Sequence, residues 1–369
     1  MLIPRPRYLG KHVWSHLFAS SGVINNLVEI ADQYGISSFC QVMAIHTGDN
    51  SRVNVVTDQD RRKWVLKQYE DVLSEAAILF NNSVMRHLNS AGFPVPHIRM
   101  TSSGQDFLSL GGKNFALYEF IPGFRYNDFL VIPRSKRQHY IQQAGNTLAR
   151  CHKIMAGASP CGHKNEGYQS INTSKRWDEY SWHYDEWNRL ISIATHPRNG
   201  NQLLTEKRAQ IISEMLSNVV EHEKNRQVLP ITVIHGDFSP LNLLYSPDGS
   251  VQALLDFDKA CFEESIDEVA TSLLEFAGRT GGSINWKDAS VFLTGYLQVN
   301  PLTSNEIMQL PYVLRRNKLK LLVWMLRKYA QNKSNSARIL FVSTLDCLDW
   351  LDGNGEEHLQ DFLRLHCPV

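Results

Sequence analysis

The segment Ile231–Asp258 constrains the fold of this chain most strongly. It opens with an apolar run, ITVI, which is followed at once by the tripeptide HGD at 235–237. A PDG turn at 247–249 leads into a second apolar run, which ends in the sequence DFD at 256–258. Apolar runs bounded by turn residues predict two short buried strands with polar residues at their ends.

The polar residues of this segment are of the types that phosphoryl transfer uses. Asp237 supplies a carboxylate, Asn242 lies five residues further on, and Asp256 follows the hairpin. A carboxylate can orient an attacking hydroxyl, while an amide oxygen and a second carboxylate suit magnesium bound to nucleotide phosphates. The alternative, a strand, a turn and a strand with surface acids, requires all of these features to coincide by chance.

Composition excludes several classes of protein. The 369 residues are 43% hydrophobic and 20% charged, with a formal net charge of +1, which gives no case for a nucleic-acid or membrane partner. No apolar run approaches the ~20 residues that span a bilayer, and no signal-peptide pattern is evident at the N-terminus. The six cysteines lack paired spacing. We therefore expect a cytoplasmic protein with reduced thiols.

Two patterns divide the chain near residue 121. Before it, we expect helices at 22–34 and 72–89, with Gly35 ending the first, and five strands, at 38–46, 53–58, 63–69, 97–101 and 115–120. Beyond it, helical periodicity predicts helices at 134–155, 177–196, 203–223, 267–278, 287–298, 304–331, 336–350 and 355–366. The only strands expected there are the two short ones of the 231–258 segment.

The 231–258 segment resembles the catalytic segment of the aminoglycoside phosphotransferase and choline kinase family, small-molecule kinases with a protein-kinase-like fold. Those enzymes carry HGD with an asparagine five positions on, and a metal-binding aspartate followed by an aromatic residue and a second acid. The resemblance implies an α+β, two-lobed fold: a small β-rich N-lobe, residues 1–121, and a larger, mainly helical C-lobe, residues 122–369, with the catalytic loop and acceptor-binding helices.

The resemblance also implies roles for individual residues. Asp237 would be the general base or hydroxyl-orienting carboxylate, and Asn242 and Asp256 would bind Mg²⁺. His235 would brace the loop by hydrogen bonding, and Asp258 would add a water-mediated or outer contact. Asp267 resembles a family position that ties its helix to the catalytic loop, although an acid at a helix N-terminus is also favoured by the helix dipole.

A nucleotide site is expected in the N-lobe. Strand alternation places Lys67 on the same face as Val65 and Tyr69, where a kinase lysine grips the α- and β-phosphates. The resemblance further implies phosphate contact through Asn50 and Ser51, although an ordinary polar hairpin is the alternative, and a hinge that includes Glu119 and Ile121. ATP is the expected phosphate donor, with GTP as an alternative.

The helix after Lys67 departs from the family pattern. Kinases hold this lysine with a glutamate, but the matching position here is Asn81. The nearest acid in the helix is Glu75, six residues earlier and about 120° off that face. Either the helix is shifted, Glu75 reaches in, or Asn81 serves as a weaker, neutral acceptor.

The acceptor site is the least constrained part of the chain. Aromatic and acidic residues alternate in one segment and could surround an amine through cation–π and carboxylate contacts; they include Trp177, Asp178, Trp182 and Asp185. The alternative is an amphipathic core helix with solvated acids. A basic helix carrying Arg315, Arg316, Lys318, Lys320, Arg327 and Lys328 is expected to be a solvated face rather than an anion site, and His152 a buried structural residue.

The resemblance thus implies Mg²⁺-dependent transfer of the γ-phosphate of ATP to a hydroxyl of a small molecule, such as an amino alcohol, aminoglycoside, sugar or natural-product alcohol. A nucleotide-binding pseudoenzyme with a regulatory role is the alternative that Asn81 motivates. A protein kinase is disfavoured, because no alanine-proline-glutamate segment follows the DFD sequence. The oligomeric state is left open.

Overall fold

The computed structural model describes residues 21–45, 51–69, 73–125, 136–161, 176–196, 202–279, 284–332 and 334–366. It shows an antiparallel sheet in the N-terminal region and a mostly helical remainder, which confirms the predicted α+β fold class. Two compact units are present, and both are discontinuous in sequence. The first comprises Met1–Arg137, Lys153–Ser170 and His235–Cys261; the second comprises Gln138–His152, Ile171–Ile234 and Phe262–Val369. The division into continuous lobes, 1–121 and 122–369, stays a prediction.

The first unit is built on a sheet with the strand order β1-β2-β3-β6-β4, in which β5 also pairs with β6. All of these pairings are antiparallel. The elements are α1 (Ser21–Gln33), β1 (Phe39–Ile45), β2 (Ser51–Asp58), β3 (Lys63–Tyr69), α2 (Glu75–Ser90), β4 (Ile98–Arg99), β5 (Leu108–Leu110) and β6 (Lys113–Glu119). Helix α1 ends before Gly35, whose φ of 64° suits a glycine after a helix C-terminus.

The core of this sheet forms against helix α1. Ile30 and Tyr34 pack with Val56 of β2, Leu66 of β3 and Leu117 of β6. These apolar residues fix which face of β3 is covered by α1, and strand alternation then turns Lys67 to the opposite face. The predicted two helices and five strands are confirmed, but the sheet has a sixth strand, β5. Three residues are too few to show periodicity, so the sequence pattern missed it.

Within the described residues, five short strands lie beyond residue 121, where two were predicted. They are β7 (Phe124–Arg125), β8 (Ile231–Ile234), β9 (Leu243–Tyr245), β10 (Val251–Leu254) and β11 (Cys261–Glu264). The predicted strands β8 and β10 exist but do not pair with each other: β10, β9 and β7 form one sheet, while β8 pairs with β11. The missed strands have two to four residues and are defined by their pairing partners rather than by a local pattern.

The second unit is mainly helical, and all eight helices predicted beyond residue 121 are confirmed. They are α3 (Arg137–Met155), α4 (Arg176–Thr195), α5 (Glu206–Asn225), α6 (Ser265–Ala277), α7 (Trp286–Leu297), α8 (Ser304–Asn332), α9 (Asn335–Trp350) and α10 (Glu356–His366). One core cluster joins α4, α5, α8 and α9 around Trp187, Ile212, Leu322 and Phe341. Among the helices described, none has the length and apolarity needed to cross a membrane.

His152 is buried, as predicted. Its Nδ1 lies 2.9 Å from the hydroxyl of Tyr296, and its Nε2 lies 2.9 Å from a carboxylate oxygen of Glu268. The side chains of His152 and Glu268 are no more than 2% exposed. These contacts join α3, α6 and α7 within the second unit and satisfy polar groups that would be costly to bury alone.

Candidate active site

The HGD loop is held in place by the side chain of His235, which is fully buried. Its Nε2 lies 2.8 Å from the carbonyl oxygen of Leu255, and its Nδ1 lies 3.2 Å from the backbone nitrogen of Asp237. Because the Asp237 N–H must donate to Nδ1, the proton of the imidazole is on Nε2, which donates to Leu255. The ring therefore links the HGD loop to the residue that precedes the DFD sequence.

Gly236 allows the close approach of these two segments. It has a φ of 78°, and a Cβ at this position would lie 2.2 Å from the carbonyl oxygen of Lys259. A side chain is therefore excluded by both the backbone conformation and the contact. This explains physically why glycine stands between the histidine and the aspartate.

Gly236→Ala is expected to shift the loop and lower kcat by about 10²-fold, because small displacements of catalytic groups are costly. Gly104→Ala is the matched control: Gly104 has a φ of 80°, but a Cβ there would meet nothing within 4 Å. The control should lose about 1 kcal/mol of stability and keep its kcat. Equal effects of the two variants on kcat, measured alongside thermal unfolding, would contradict this account.

Asn242 directly precedes β9, and Asp256 follows β10, so both residues lie at the open end of the β9–β10 hairpin. The Asn242 side-chain nitrogen donates to the carbonyl oxygen of Asp237 at 2.9 Å, and its backbone oxygen accepts from Leu255 at 2.8 Å. With its nitrogen so engaged, the Asn242 amide has its oxygen as the remaining acceptor. Asp256 adopts left-handed backbone angles, φ 65° and ψ 72°, which are strained for a residue other than glycine and cluster at functional sites.

Lys67 of β3 joins the DFD sequence, which lies 189 and 191 residues further along the chain. Its Nζ lies 2.9 Å from Asp256 Oδ1 and 2.6 Å from Asp258 Oδ1. Burial disfavours the charged ammonium, but the two carboxylates, Asp258 foremost, outweigh it and raise the pKa of Lys67 well above its usual value. The lysine therefore stays charged at any physiological pH.

The two carboxylates differ in environment. Burial opposes ionisation of Asp256, but the charge of Lys67 outweighs it and lowers the pKa of Asp256. Asp258 is more deeply buried, and this burial raises its pKa in spite of Lys67, with Asp256 adding to the effect. The two acids thus titrate as a pair that shares one ammonium.

A hydrogen-bonded chain flanks Lys67. Its ammonium lies 5.2 Å from the centre of the Tyr69 ring. The Tyr69 hydroxyl donates to the hydroxyl of Tyr118, which in turn donates to the side-chain oxygen of Asn82 at 3.1 Å. Burial is the largest cause of a pKa of about 12 for Tyr118, so both phenols stay neutral at physiological pH. The chain connects β3 and β6 to helix α2 without a carboxylate.

Helix α2 does not supply the ion pair that kinases usually form with this lysine. Glu75 is exposed and accepts a hydrogen bond from the Ser109 hydroxyl at 3.3 Å, so it does not reach in to Lys67. Asn81 is 2% exposed, and within the described part of the chain neither atom of its amide has a hydrogen-bond partner. The lysine is paired instead with the DFD sequence.

Lys259, which sequence reasoning missed, contacts the predicted catalytic carboxylate. Its Nζ lies 3.2 Å from Asp237 Oδ2, and both side chains are partly exposed, 37% and 40% respectively. The available signal was a cation directly after the DFD sequence, but no spacing rule ties that position to the HGD loop. The contact helps to hold the Asp237 carboxylate in place while leaving it partly exposed.

The remaining predicted nucleotide residues are placed as follows. Ser51 is the first residue of β2, Glu119 is the last residue of β6, and Ile121 follows two residues later. The Glu119 backbone nitrogen donates to the carbonyl oxygen of His97 at 2.9 Å. Asn50 lies outside the described residues. Contact of these residues with a nucleotide stays a prediction.

The predicted acceptor residues lie on α4. Asp178 and Asp185 are exposed, and the side chain of Trp177 lies outside the described residues. The Trp182 ring packs on Trp324, with ring centres 5.4 Å apart, and the guanidinium of Arg327 lies 5.3 Å from its centre. A cation of the chain itself thus already occupies the cation–π position on Trp182. The proposed amine pocket stays a prediction.

The expectation that the basic residues of helix α8 form a solvated face is wrong for Arg316. Arg316 is fully buried and pairs with Glu223 and Asp267. Lys320 pairs with Glu179 at 2.6 Å. The sequence spacing of basic residues does not show burial when acids from other helices, here α4, α5 and α6, supply the partners.

Lys67, the HGD loop, Asn242 and the DFD sequence all belong to the first compact unit. Together they provide an ammonium for phosphate oxygens and hard oxygen donors for a divalent cation. They also include a partly exposed carboxylate, Asp237, that can accept a hydroxyl proton. This is the chemistry of phosphoryl transfer, in which positioning and charge stabilisation provide most of the catalysis.

Comparison with known proteins agrees with this chemistry. The family described as "Phosphotransferase enzyme family" matches residues 43–291. A homoserine kinase of Caulobacter vibrioides is 26% identical over 262 residues, 71% of this chain and 74% of that protein. An amicoumacin kinase solved with AMP-PNP, Ca²⁺ and Ami has a TM-score of 0.64 at 16% identity, over 90% of this chain and 94% of that one.

A spectinomycin phosphotransferase solved with ADP and spectinomycin has a TM-score of 0.61 at 14% identity, covering 92% of this chain and 99% of that one. These solved structures support the fold, and the family match covers more than half of the chain. The predicted resemblance is thereby confirmed. The chain belongs to the phosphotransferase enzyme family and is a small-molecule kinase.

Proposed function

We propose that this kinase transfers the γ-phosphate of ATP, in a magnesium-dependent reaction, to the hydroxyl of a small amino alcohol, with homoserine as the first candidate. The observation that carries the transfer chemistry is the pairing of Lys67 with the DFD sequence beside the HGD loop. The choice of acceptor rests on the curated relatives named homoserine kinase, which are 24–27% identical to this chain.

Asp237 would orient the acceptor hydroxyl and receive its proton. Its side chain is 40% exposed, and one of its oxygens is held by Lys259. The backbone on both sides is fixed, since the Asp237 nitrogen donates to His235 and its carbonyl oxygen accepts from Asn242. Such fixation suits a reaction with a loose transition state, which depends more on alignment than on strong proton removal.

Lys67 would bind the α- and β-phosphates of the nucleotide. Its ammonium is buried against two carboxylates, one of which, Asp256, has a side chain that is 45% exposed. A phosphate group that approaches from this exposed side can replace Asp256 as a partner of the lysine. The charge of Lys67 is secured by its raised pKa, so the contact would not depend on pH in the neutral range.

Asn242 and Asp256 would hold the magnesium ion. Both offer hard oxygen atoms, and the amide nitrogen of Asn242 is already engaged with Asp237, which leaves the amide oxygen for a cation. A magnesium ion held by these two residues would supply positive charge for the nucleotide phosphates. The strained backbone of Asp256 supports a binding role, because strain of this kind is found mainly at functional sites.

The proposal predicts that ATP with Mg²⁺ stabilises the purified protein, and that the protein phosphorylates homoserine at the expense of ATP. A ligand at about 100 times its dissociation constant should stabilise the fold by roughly 2.7 kcal/mol, which a thermal-shift assay detects. The matched control is 2-aminobutyrate, which keeps the amino and carboxylate groups of homoserine but lacks the hydroxyl and should give no product.

A panel of acceptors tests the substrate class. Turnover of ethanolamine, choline or an aminoglycoside in preference to homoserine would replace homoserine as the acceptor but keep the reaction. No shift with ATP or GTP, with or without Mg²⁺, would contradict the proposed function itself.

A further inference from the structure

We propose that Asp258 is the residue that positions Lys67, in the place of the helix glutamate that kinases usually provide. The proposal rests on the proposed function and adds a positioning role for Asp258 that the DFD pattern alone does not predict. The aspartate at 256 would then serve the cation, while the aspartate at 258 serves the lysine. The two acids of the motif are assigned to different partners.

Distance and burial favour Asp258 over Asp256 as the lasting partner of the lysine. Lys67 Nζ lies 2.6 Å from Asp258 and 2.9 Å from Asp256. The side chains of Lys67 and Asp258 are each 10% exposed, whereas that of Asp256 is 45% exposed. A contact within a water-poor site is electrostatically stronger, and Asp256 is the carboxylate that an incoming cation can reach.

Helix α2 offers no competing carboxylate. Glu75 is its single acid, and that side chain is exposed and bonded to Ser109. Of the two buried asparagines, Asn82 accepts from Tyr118, while the amide of Asn81 has no partner within the described residues. The lysine is thus paired with its two carboxylates from the DFD sequence, and Asn81 does not act as its neutral acceptor.

The short helical turn Phe257–Lys259 gives Asp258 the rigidity that this role needs. Phe257 and Ala260 are buried, and the Ala260 nitrogen donates to the Phe257 oxygen at 2.9 Å. The Phe257 ring also contacts the ring of His235, with centres 4.6 Å apart. The position of the lysine is therefore fixed by the same segment that presents Asp256, and does not depend on a helix carboxylate.

A double-mutant cycle with Lys67→Met and Asp258→Asn tests the proposal. The measured quantity is the dissociation constant of Mg²⁺·ATP by calorimetry, which does not require turnover. Asp258→Asn alone is expected to weaken binding about tenfold or more, as Lys67→Met does. In the Lys67→Met background, Asp258→Asn should add little, because Asp258 acts through the lysine. Asp32→Asn, an exposed acid on α1, is the control and should bind as the wild type does.

Magnesium dependence provides a second readout. Asp256→Asn should raise the Mg²⁺ concentration required for nucleotide binding, whereas Asp258→Asn should leave it near the wild-type value. Additive effects of the two substitutions in the cycle would overturn the proposal. A raised Mg²⁺ requirement in Asp258→Asn would also overturn it and would make Asp258 a metal ligand. If the wild-type protein binds no nucleotide, the proposed function fails instead, so the two failures are distinguishable.

Discussion

Asp237→Asn is expected to lower kcat by about 10²- to 10⁴-fold, the usual contribution of a positioned acid–base group. The amide keeps the size of the side chain but cannot accept the hydroxyl proton as a carboxylate does. Because the structural hydrogen bonds of Asp237 are made by its backbone nitrogen and oxygen, the loop should keep its conformation. Nucleotide binding, measured by thermal shift, should stay at the wild-type level.

The matched control for this change is Asp248→Asn. Asp248 is an exposed acid in the β9–β10 turn of the same segment, where it accepts hydrogen bonds from Ser246 and Ser250. Its replacement should leave kcat unchanged. A fully active Asp237→Asn enzyme would remove Asp237 as the residue that receives the proton, and the site would need another base.

Arg316→Met is expected to destabilise the second unit by about 3–5 kcal/mol, the typical result of removing one partner from a buried ion pair. The Arg316 side chain is fully buried; one guanidinium nitrogen lies 2.6 Å from Glu223, and another bonds Asp267. Tyr312 also donates to Glu223, at 2.9 Å. Methionine fills most of the volume but removes the cation that Glu223 and Asp267 share, and it leaves Glu223 paired with Arg226.

Arg315→Met is the neighbouring control. Arg315 has a side chain that is 28% exposed and pairs with Asp352 at 3.1 Å. Exposed pairs are worth about 0–1 kcal/mol, so the midpoint of thermal unfolding should barely move. If both variants unfold at the same temperature, the buried network does not stabilise the fold in the way described.

The ion pairs around Arg316 also involve a group of buried acids. Oxygens of Glu263, Glu264 and Asp267 lie within 4.8 Å of one another, a spacing that a metal ion could fill. Arginines occupy the cationic role instead, because Arg226 pairs with Glu264 and Arg316 with Asp267. The early acid of α6, Asp267, is thus part of an ion network as well as a helix N-terminal acid.

Local pattern was sufficient to predict the helices and the main strands. Helix periodicity extends over many residues in α4 and α8 and is therefore recognisable in the sequence. The strands β5, β7, β9 and β11 have only two to four residues each, which is too few to show a pattern. The strand position of Lys67 was also predictable, because alternation depends on adjacent residues alone. Its partners, Asp256 and Asp258, lie 189 and 191 residues away, and neither was predicted as a partner of the lysine.

Three features of the structure could not be read from the sequence. The contact of Lys259 with Asp237, the choice of Asp258 as a partner of the lysine, and the burial of Arg316 all depend on tertiary packing. Charged residues are normally exposed, so pattern alone assigns them to the surface. Asp258 and Arg316 are buried here because residues of opposite charge on other segments pair with them, and a single sequence does not show such pairs.

The central claim is that the chain transfers phosphate from ATP to a small-molecule hydroxyl, and phosphorus NMR of the reaction tests it most directly. With wild-type protein, Mg²⁺, ATP and homoserine, a phosphomonoester signal should grow in step with that of ADP. The signal should be absent with 2-aminobutyrate and nearly absent with Asp237→Asn. ADP accompanied only by inorganic phosphate, or no turnover with any acceptor in the panel, would contradict the claim.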